Sequence, residues 1–340
     1  MHTQPRNTTD WGERVDLPAA PVFPCQINRP SQATHTNGAR KHLRPHTGSA
    51  TKTTMTKTLL SFGHGYSARA LSRILLPQDW RIIGTTRSED KAPRLMNEGI
   101  EPRIWPGADM IPALNAATHL LISAAPGDAG DPVLAELRDE IAQRAAQFAW
   151  VGYLSTTGVY GDHDGGWVDE NTALTPATKR GIARVKAEAA WAAIPGLPLH
   201  IFRLAGIYGP GRGPFSKVRN GTARRIIKKG QVFSRTHVAD IARVLAASIH
   251  KPNPGAAYNV CDNDPAPPED VIAYAAELLG LPIPEAVDFE TADMTPMARS
   301  FYAESKKVRN DRIKDELGVE LLYPDYKSGL KALLAQEIGA

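Results

Sequence analysis

An apolar run, Thr58-Leu59-Leu60-Ser61-Phe62, passes into Gly63-His64-Gly65-Tyr66-Ser67-Ala68, and a helix-like stretch, Tyr66 to Leu76, leaves it. The glycines sit at the join and read G-x-G-x-x-A. In a strand-to-helix turn, Gly63 allows the tight bend, Gly65 lets the backbone approach a pyrophosphate, and Ala68 lets helix and strand pack closely. The free N–H groups of the helix N-terminus then face the phosphates. A lone G-x-G-x-x-A also occurs in ordinary tight turns. Here a strand precedes it, a helix follows it and a second strand comes about 20 residues on, which together point to a dinucleotide site.

That second strand reads Trp80-Arg81-Ile82-Ile83-Gly84-Thr85-Thr86. An NAD site places Asp or Glu at its end to accept from the ribose 2′-OH. This chain gives Thr86-Arg87-Ser88 instead, with Lys91 one turn on. A missing acid and a present cation suit a 2′-phosphate, so we expect NADP over NAD. Arg87 also has the plain reading of a solvated loop charge. Contacts to the cofactor are expected from Gly63, His64, Gly65, Tyr66, Ala68, Thr86 and Arg87.

Glu89 to Glu98 reads as a helix and Ile100 to Trp105 as a third strand. Asp109 either reaches the adenine edge or caps the next helix. His119 to Ser123 reads as a fourth strand. Ser123, Ala124 and Ala125 open a small-residue loop that lets a cofactor cross the carboxyl ends of the strands. Val133 to Phe148 is helical, with apolar residues at 133, 134, 137, 141, 145 and 148, and Trp150 to Leu154 is strand five. This alternation predicts an α/β fold, a doubly wound parallel Rossmann sheet, over residues 55–210.

The chain has 340 residues, 42% of them hydrophobic, enough for a sizeable core, and no apolar run of the ~18 residues a membrane helix needs. Residues 1–54 are rich in Pro, Thr and Asn with no sustained period, and read as a disordered tail or a misassigned start, since Met55 directly precedes the first strand. That segment carries the whole formal net charge of +4, so the basic balance implies no nucleic-acid-binding fold. It lacks the order of a secretory signal, and its acids and prolines argue against a transit peptide. Cys25 and Cys261 are too far apart to form a framework, which suggests reduced thiols and a cytoplasmic protein. The ten His are scattered without metal-ligand spacing, so no metal site is expected.

Strand five ends in Ser155-Thr156-Thr157-Gly158-Val159-Tyr160-Gly161. Here the chain resembles the extended short-chain dehydrogenases/reductases, the nucleotide-sugar epimerase and dehydratase group, which carry a Ser/Thr-x-x-x-Tyr-Gly run at this place. Phe202 to Gly211, Phe233 to Ala242 and Tyr258-Asn259-Val260 match further segments in order, and the resemblance covers residues 57–335. It implies that Thr156 hydrogen-bonds the reacting oxygen. The family also carries Tyr-x-x-x-Lys on the next helix, where the Lys lowers the Tyr pKa for proton exchange. Matching Gly181 and Glu188 puts Arg180 at the Tyr position and Arg184 at the Lys position; keeping Lys186 instead puts Ile182 at the Tyr position. Either way the Tyr is missing, as in the superfamily's atypical members. A guanidinium stays charged at neutral pH and is no proton shuttle. Arg184 can still donate to the nicotinamide ribose.

Tyr160 and Tyr208 are the candidate replacement phenols, with Tyr160 also read as packing under the loop. Asp162, His163, Asp164 and Asp169 lie between them in sequence. Arg180 and Arg184, one helical turn apart, either clamp an anion or are solvated. Lys217, Arg219, Arg224, Arg225, Lys228 and Lys229 crowd the segment where the family builds its substrate lid, which suits an acidic substrate or is a solvated face. His237 is read as either structural or substrate-facing. Residues 211–340 are expected to form a small substrate lobe mixed with the last sheet strands and helices.

The expectation is an NADP-binding oxidoreductase or epimerase acting on a small anionic or sugar-like substrate, with catalytic candidates Thr156, Tyr160, Arg180 and Arg184. Two rivals stand beside it. One is a non-catalytic NADP-binding sensor. The other is an NADP-using dehydratase or lyase with Asp162 or Asp169 as base. No nucleic-acid or membrane partner is expected, and a homodimer is the candidate assembly.

Overall fold

Strand and helix alternate from the first described residues. The first half runs β1 (Thr58–Phe62), α1 (Tyr66–Leu75), β2 (Arg81–Thr86), α2 (Ala92–Asn97), β3 (Glu101–Ile104), α3 (Ile111–Ala116), β4 (His119–Ile122), α4 (Pro132–Gln143) and β5 (Trp150–Thr156). There follow β6 (Trp167–Val168), α5 (Lys179–Ala192), β7 (Leu199–Leu204), β8 (Gly206–Tyr208), α6 (Phe215–Arg219), β9 (Arg225–Ile227), β10 (Arg235–His237), α7 (Val238–His250) and β11 (Ala257–Val260). The chain closes with α8 (Pro268–Leu279), β12 (Ala286–Asp288), α9 (Pro296–Ser300), β13 (Lys307–Val308), α10 (Asp311–Asp315) and α11 (Tyr326–Ile338). This computed structural model describes residues 56–338, of which 56–335 form one unit. The expected tail, 1–54, lies outside the described residues.

Seven strands form one sheet in the order β11-β7-β5-β4-β1-β2-β3, and every pairing in it is parallel. Both faces of such a sheet are covered, so side chains alternate between two apolar layers. Leu59, Ile82, Leu121 and Trp150 point to one layer, with Leu71 and Leu75 of α1 and Ile241 and Leu245 of α7. Leu60, Ile83, Leu120 and Val151 point to the other, with Val133, Leu137 and Ile141 of α4 and Trp191 of α5. Each such aliphatic side chain contributes about 1.5–3 kcal/mol on leaving water. The strand order reverses between β1 and β4, and a crevice opens at the carboxyl ends of strands at such a switch point.

Two expected helices are shorter than their apolar pattern. Glu89–Lys91 is a 3₁₀ turn, and α2 starts only at Ala92, with Pro93 in its first turn, where a missing N–H costs nothing. The Asp131 carboxylate caps α4 through Val133 N at 2.9 Å and Leu134 N at 3.1 Å, and Ala145–Gln147 continues as a separate 3₁₀ turn. Three two-stranded pairs, β8 with β10, β9 with β12 and β6 with β13, have no counterpart in the sequence reading. Strands of two or three residues are too short to show a period. A separate apolar cluster joins Phe215 and Val218 of α6, Val271 and Ala275 of α8, and Tyr326, Leu330 and Leu333 of α11. Among the described residues, no helix is long and apolar enough to cross a membrane.

Candidate functional site

The turn after β1 is built against the end of β4. Gly63 sits at φ +74, and a Cβ on it would lie 2.8 Å from Ala124 N, so both conformation and space require glycine. Its N–H donates to Thr85 Oγ1 at 2.8 Å. A Cβ on Gly65 would meet only the Gly63 carbonyl, at 3.7 Å. Space therefore lies open above the α1 N-terminus, whose first turn receives no side-chain cap. Open backbone N–H groups beside an unfilled space fit a phosphate. Ala68 is fully buried in the helix–sheet contact. Ser67 and Ser123 line the cleft above it, and Ala125 is exposed where the chain leaves β4.

The side chains of His64 and Tyr66 are both held by partners within the protein. His64 is buried against Gly84, its Nε2 3.2 Å from Ser72 Oγ, and burial holds its pKa down at about 4. Its backbone N–H donates to the Thr85 carbonyl at 2.9 Å, so neither the amide donor nor the imidazole of His64 is open to a cofactor, and the expected contact is corrected; the imidazole is part of the wall. The Tyr66 hydroxyl donates to the Pro210 carbonyl at 3.0 Å. Thr86 ends β2, its Oγ1 accepting from Ser88 N at 3.3 Å, and Arg87 follows it exposed. Asp109 caps the start of α3 through Ile111 N at 2.9 Å, the second of its two readings.

A cleft of about 770 Å³ opens at the carboxyl ends of β5 and β7. Thr156, Gly158, Arg180, Gly181 and Arg184 all line it, in keeping with the register that matches Gly181 and Glu188. Gly181 abuts the Gly158 carbonyl, where a Cβ would lie 2.7 Å from the oxygen. Ile182 and Lys186, the members of the alternative register, are exposed and outside the cleft lining. Thr156 Oγ1 accepts from Gly158 N at 3.2 Å, which leaves its own proton free to donate. Arg184 donates to the Leu154 carbonyl and lies over the Tyr153 ring at 5.7 Å. Arg180 stacks over Phe301 at 4.8 Å. The cleft's charged lining is Arg180, Arg184, Arg212, Arg235 and Lys306 against the single carboxylate of Glu304.

Tyr160 is not at this cleft. It is fully buried; its hydroxyl donates to Asn259 Oδ1 at 2.8 Å and accepts from Arg203 at 3.0 Å. Burial raises its pKa above the ordinary phenol value, against the pull of Arg203. A phenol so placed has no reacting atom to serve, and the expectation that it replaces the family's Tyr is corrected. Tyr208 lines the cleft, but its hydroxyl lies 3.4 Å from the Asp325 carbonyl, and burial raises its pKa well beyond the ordinary value. Asp162 accepts from Ser305 N and Asp164 N, and Asp169 from Asn171 N and Thr172 Oγ1. Both are turn caps, so neither is the base a lyase needs. His163 Nε2 is 3.1 Å from the Tyr160 carbonyl, and His237 caps α7 through Ala239 N.

The basic lid segment also differs from expectation. None of Lys217, Arg219, Arg224, Arg225, Lys228 and Lys229 lines the cleft; Arg224 and Arg225 donate to the carbonyls of Asp293 and Pro284. Beside the expected Arg180 and Arg184, the cleft's positive charge comes from Arg212, Arg235 and Lys306, which the sequence reading passed over. Arg235 donates to the Phe233 and Ala266 carbonyls, both at 2.9 Å. Lys306 donates to the Gly161 carbonyl at 2.5 Å and to Glu304 at 2.8 Å. Lys306 carries no periodic signal, because it precedes a strand of only two residues. Beneath the cleft, Ser155 and Arg203 are register partners on β5 and β7. Both bind Glu188 of α5, with Arg203 at 2.9 Å. Burial opposes the Arg203 charge, but its hydrogen bond and attraction to Glu188 outweigh that and raise its pKa.

Sheet order, glycine turn and cleft define the class by fold alone: the Rossmann fold of the extended short-chain dehydrogenases/reductases. Within that class the chain belongs to one family with a functionally unknown conserved protein from Silicibacter pomeroyi DSS. The two are 67% identical with a TM-score of 0.80, over 83% of this chain and 99% of that one. Among curated proteins it is similar to Protein YeeZ of Escherichia coli (strain K12), 28% identical over 283 residues, 79% of this chain and 97% of that protein. Two more distant structures share the fold. The dTDP-glucose 4,6-dehydratase of Bacillus anthracis str. Ames, in complex with NAD, is 17% identical with a TM-score of 0.66, covering 84% and 97% of the two chains. The human epimerase family protein SDR39U1 with NADPH is 17% identical with a TM-score of 0.62, covering 82% and 99%. No protein-family model matches the chain.

Proposed function

We propose that the chain is an NADP(H)-binding oxidoreductase or epimerase of the extended/atypical type, acting on a small anionic or sugar-like substrate. One observation carries the reading. A single cleft has Ser67 and Ser123, neighbours of the glycine cradle, on one side and Thr156, Arg180 and Arg184 on the other, with five cations and one carboxylate among its lining charges. Gly63, Gly65 and the α1 N-terminus hold the pyrophosphate, and Arg87 meets a 2′-phosphate. Two fold neighbours carry NAD and NADPH respectively, which supports a nicotinamide dinucleotide. Bound nicotinamide supplies or accepts a hydride. Thr156 donates a hydrogen bond from its hydroxyl to the reacting oxygen, Arg184 reaches the ribose, and Arg180 holds an anionic group of the substrate.

A second reading, a non-catalytic NADP-binding sensor, is favoured by the lack of a free phenol at either Tyr160 or Tyr208. NADPH oxidation over a panel of carbonyl compounds and sugar nucleotides separates the two. Turnover with any member supports the enzyme. Tight NADPH binding without turnover on a broad panel favours the sensor.

A further inference from the structure

Gly209-Pro210-Gly211-Arg212 closes on itself: Gly209 N donates to the Arg212 carbonyl at 3.0 Å, and Arg212 N to the Gly209 carbonyl at 2.9 Å. This turn is fastened to the first residue of α1, because the Tyr66 hydroxyl donates to the Pro210 carbonyl. Burial pushes the Tyr66 phenol up to about 12, so it remains a donor near neutral pH. The backbone of the turn is thus held from two sides, while the Arg212 side chain is exposed.

The Arg212 guanidinium lies 5.9 Å from the centre of the Tyr66 ring and lines the cleft together with Ser67. No carboxylate or hydrogen-bond partner engages it among the described residues. The other cleft cations are differently placed: Arg184 and Arg235 donate to carbonyls, Lys306 is paired with Glu304, and Arg180 is stacked on Phe301. Arg212 is therefore an available guanidinium carried on a fixed turn, beside a helix N-terminus whose first turn is uncapped. A guanidinium matches phosphate oxygens bidentately, and a helix N-terminus supplies N–H donors to the same group.

We propose that the Gly209–Arg212 turn is a phosphate clamp. Arg212 pairs with the pyrophosphate of a dinucleotide seated on the α1 N-terminus, and Tyr66 fixes the height at which the turn carries it. The clamp rests on the dinucleotide reading of the cleft given above. It assigns the 209–212 turn to the cofactor; an anionic group of the substrate is the competing occupant.

The test uses the full chain, with Arg212→Gln and Tyr66→Phe as variants. Two probes are titrated by fluorescence at low and moderate salt. NADPH carries a pyrophosphate; adenosine 2′-monophosphate carries the 2′-phosphate without one. Arg212→Gln is expected to weaken NADPH about tenfold or more, to reduce its salt dependence, and to leave adenosine 2′-monophosphate within about twofold. Tyr66→Phe is expected to weaken NADPH several-fold by speeding its release in stopped flow, with no change in salt dependence. If Arg212→Gln leaves NADPH affinity unchanged, or weakens both probes equally, the clamp is overturned while the dinucleotide reading stands. A wild type that binds neither NADPH nor NADH overturns that reading and the clamp with it.

Discussion

Arg87 and Tyr160 show how differently two polar side chains stand to the cleft. Arg87 is exposed at the end of β2, where an NAD site places a carboxylate. A charge-assisted hydrogen bond contributes about 1.5–3 kcal/mol, roughly 10- to 150-fold in affinity. Arg87→Ala should weaken NADPH by that order and leave NADH nearly unchanged in parallel titrations; equal weakening of both assigns Arg87 to holding the loop. Tyr160 is the opposite case, with its hydroxyl between Asn259 and Arg203. Tyr160→Phe leaves those partners unsatisfied inside the core, at a cost of about 1–3 kcal/mol. Urea unfolding should show that loss with NADPH affinity unchanged, and a normal midpoint contradicts the buried role. Thr156, with a hydroxyl hydrogen bond to give the reacting oxygen, should matter only to turnover. Thr156→Ala is expected to reduce kcat by about 10²-fold or more on any substrate found, with cofactor affinity within a few fold.

β5, α5 and β7 are pinned together by one buried group, Glu188, which receives Ser155 and Arg203. The Arg203 and Glu188 side chains are 7% and 4% exposed, so removing one partner strands the other's charge. Arg203→Met should cost about 3–5 kcal/mol, read as a lowered urea midpoint, and the double change with Glu188→Leu should recover much of it. A single-variant loss below about 1 kcal/mol contradicts the buried pair. Elements of this length were legible in the sequence. β1, β2, β4 and β5 have alternating or continuous apolar runs, and the glycine turn and the α5 match stood out by spacing. The α5 register was not legible, because Gly181–Glu188 and Lys186 pointed to different alignments; the close approach of Gly181 to Gly158 favours the first. Arg212 and Lys306 were missed for a related reason. They sit on a four-residue turn and beside a two-residue strand, whose positions are set by partners distant in sequence, such as Tyr66 and Gly161. The basic 217–229 run was legible as charge, but charge alone does not say which way a side chain faces.

Across the whole molecule, four buried histidines, His64, His119, His200 and His237, are each held near a pKa of about 4 by burial. In the unfolded chain they titrate near 6.5. As pH falls, the unfolded chain takes up these protons first, so their contribution is present above about 6.5 and lost toward 4. Asp262 acts in the opposite sense: burial raises it to about 8, so the folded chain keeps a proton that the unfolded one has released. Melting temperature should therefore fall between pH 6.5 and 4 with net proton uptake on unfolding, and Asp262→Asn should steepen the fall by about one proton. A flat profile over that window contradicts the burial of these rings. At this same scale, the central claim is that the cradle at the β1–α1 turn binds a phosphorylated dinucleotide. Fluorescence titration with NADPH and NADH, on the wild type and on Gly65→Asp, tests it most directly. Gly65 is the α1 N-cap with extended backbone at φ −100, so Asp suits it structurally and the melting temperature should not fall. Its carboxylate would occupy the space meant for phosphate. The wild type is expected to bind NADPH at least about tenfold more tightly than NADH, and Gly65→Asp to lose about a hundredfold or more for both. A Gly65→Asp chain that binds NADPH like the wild type, or a wild type that binds neither nucleotide, contradicts it.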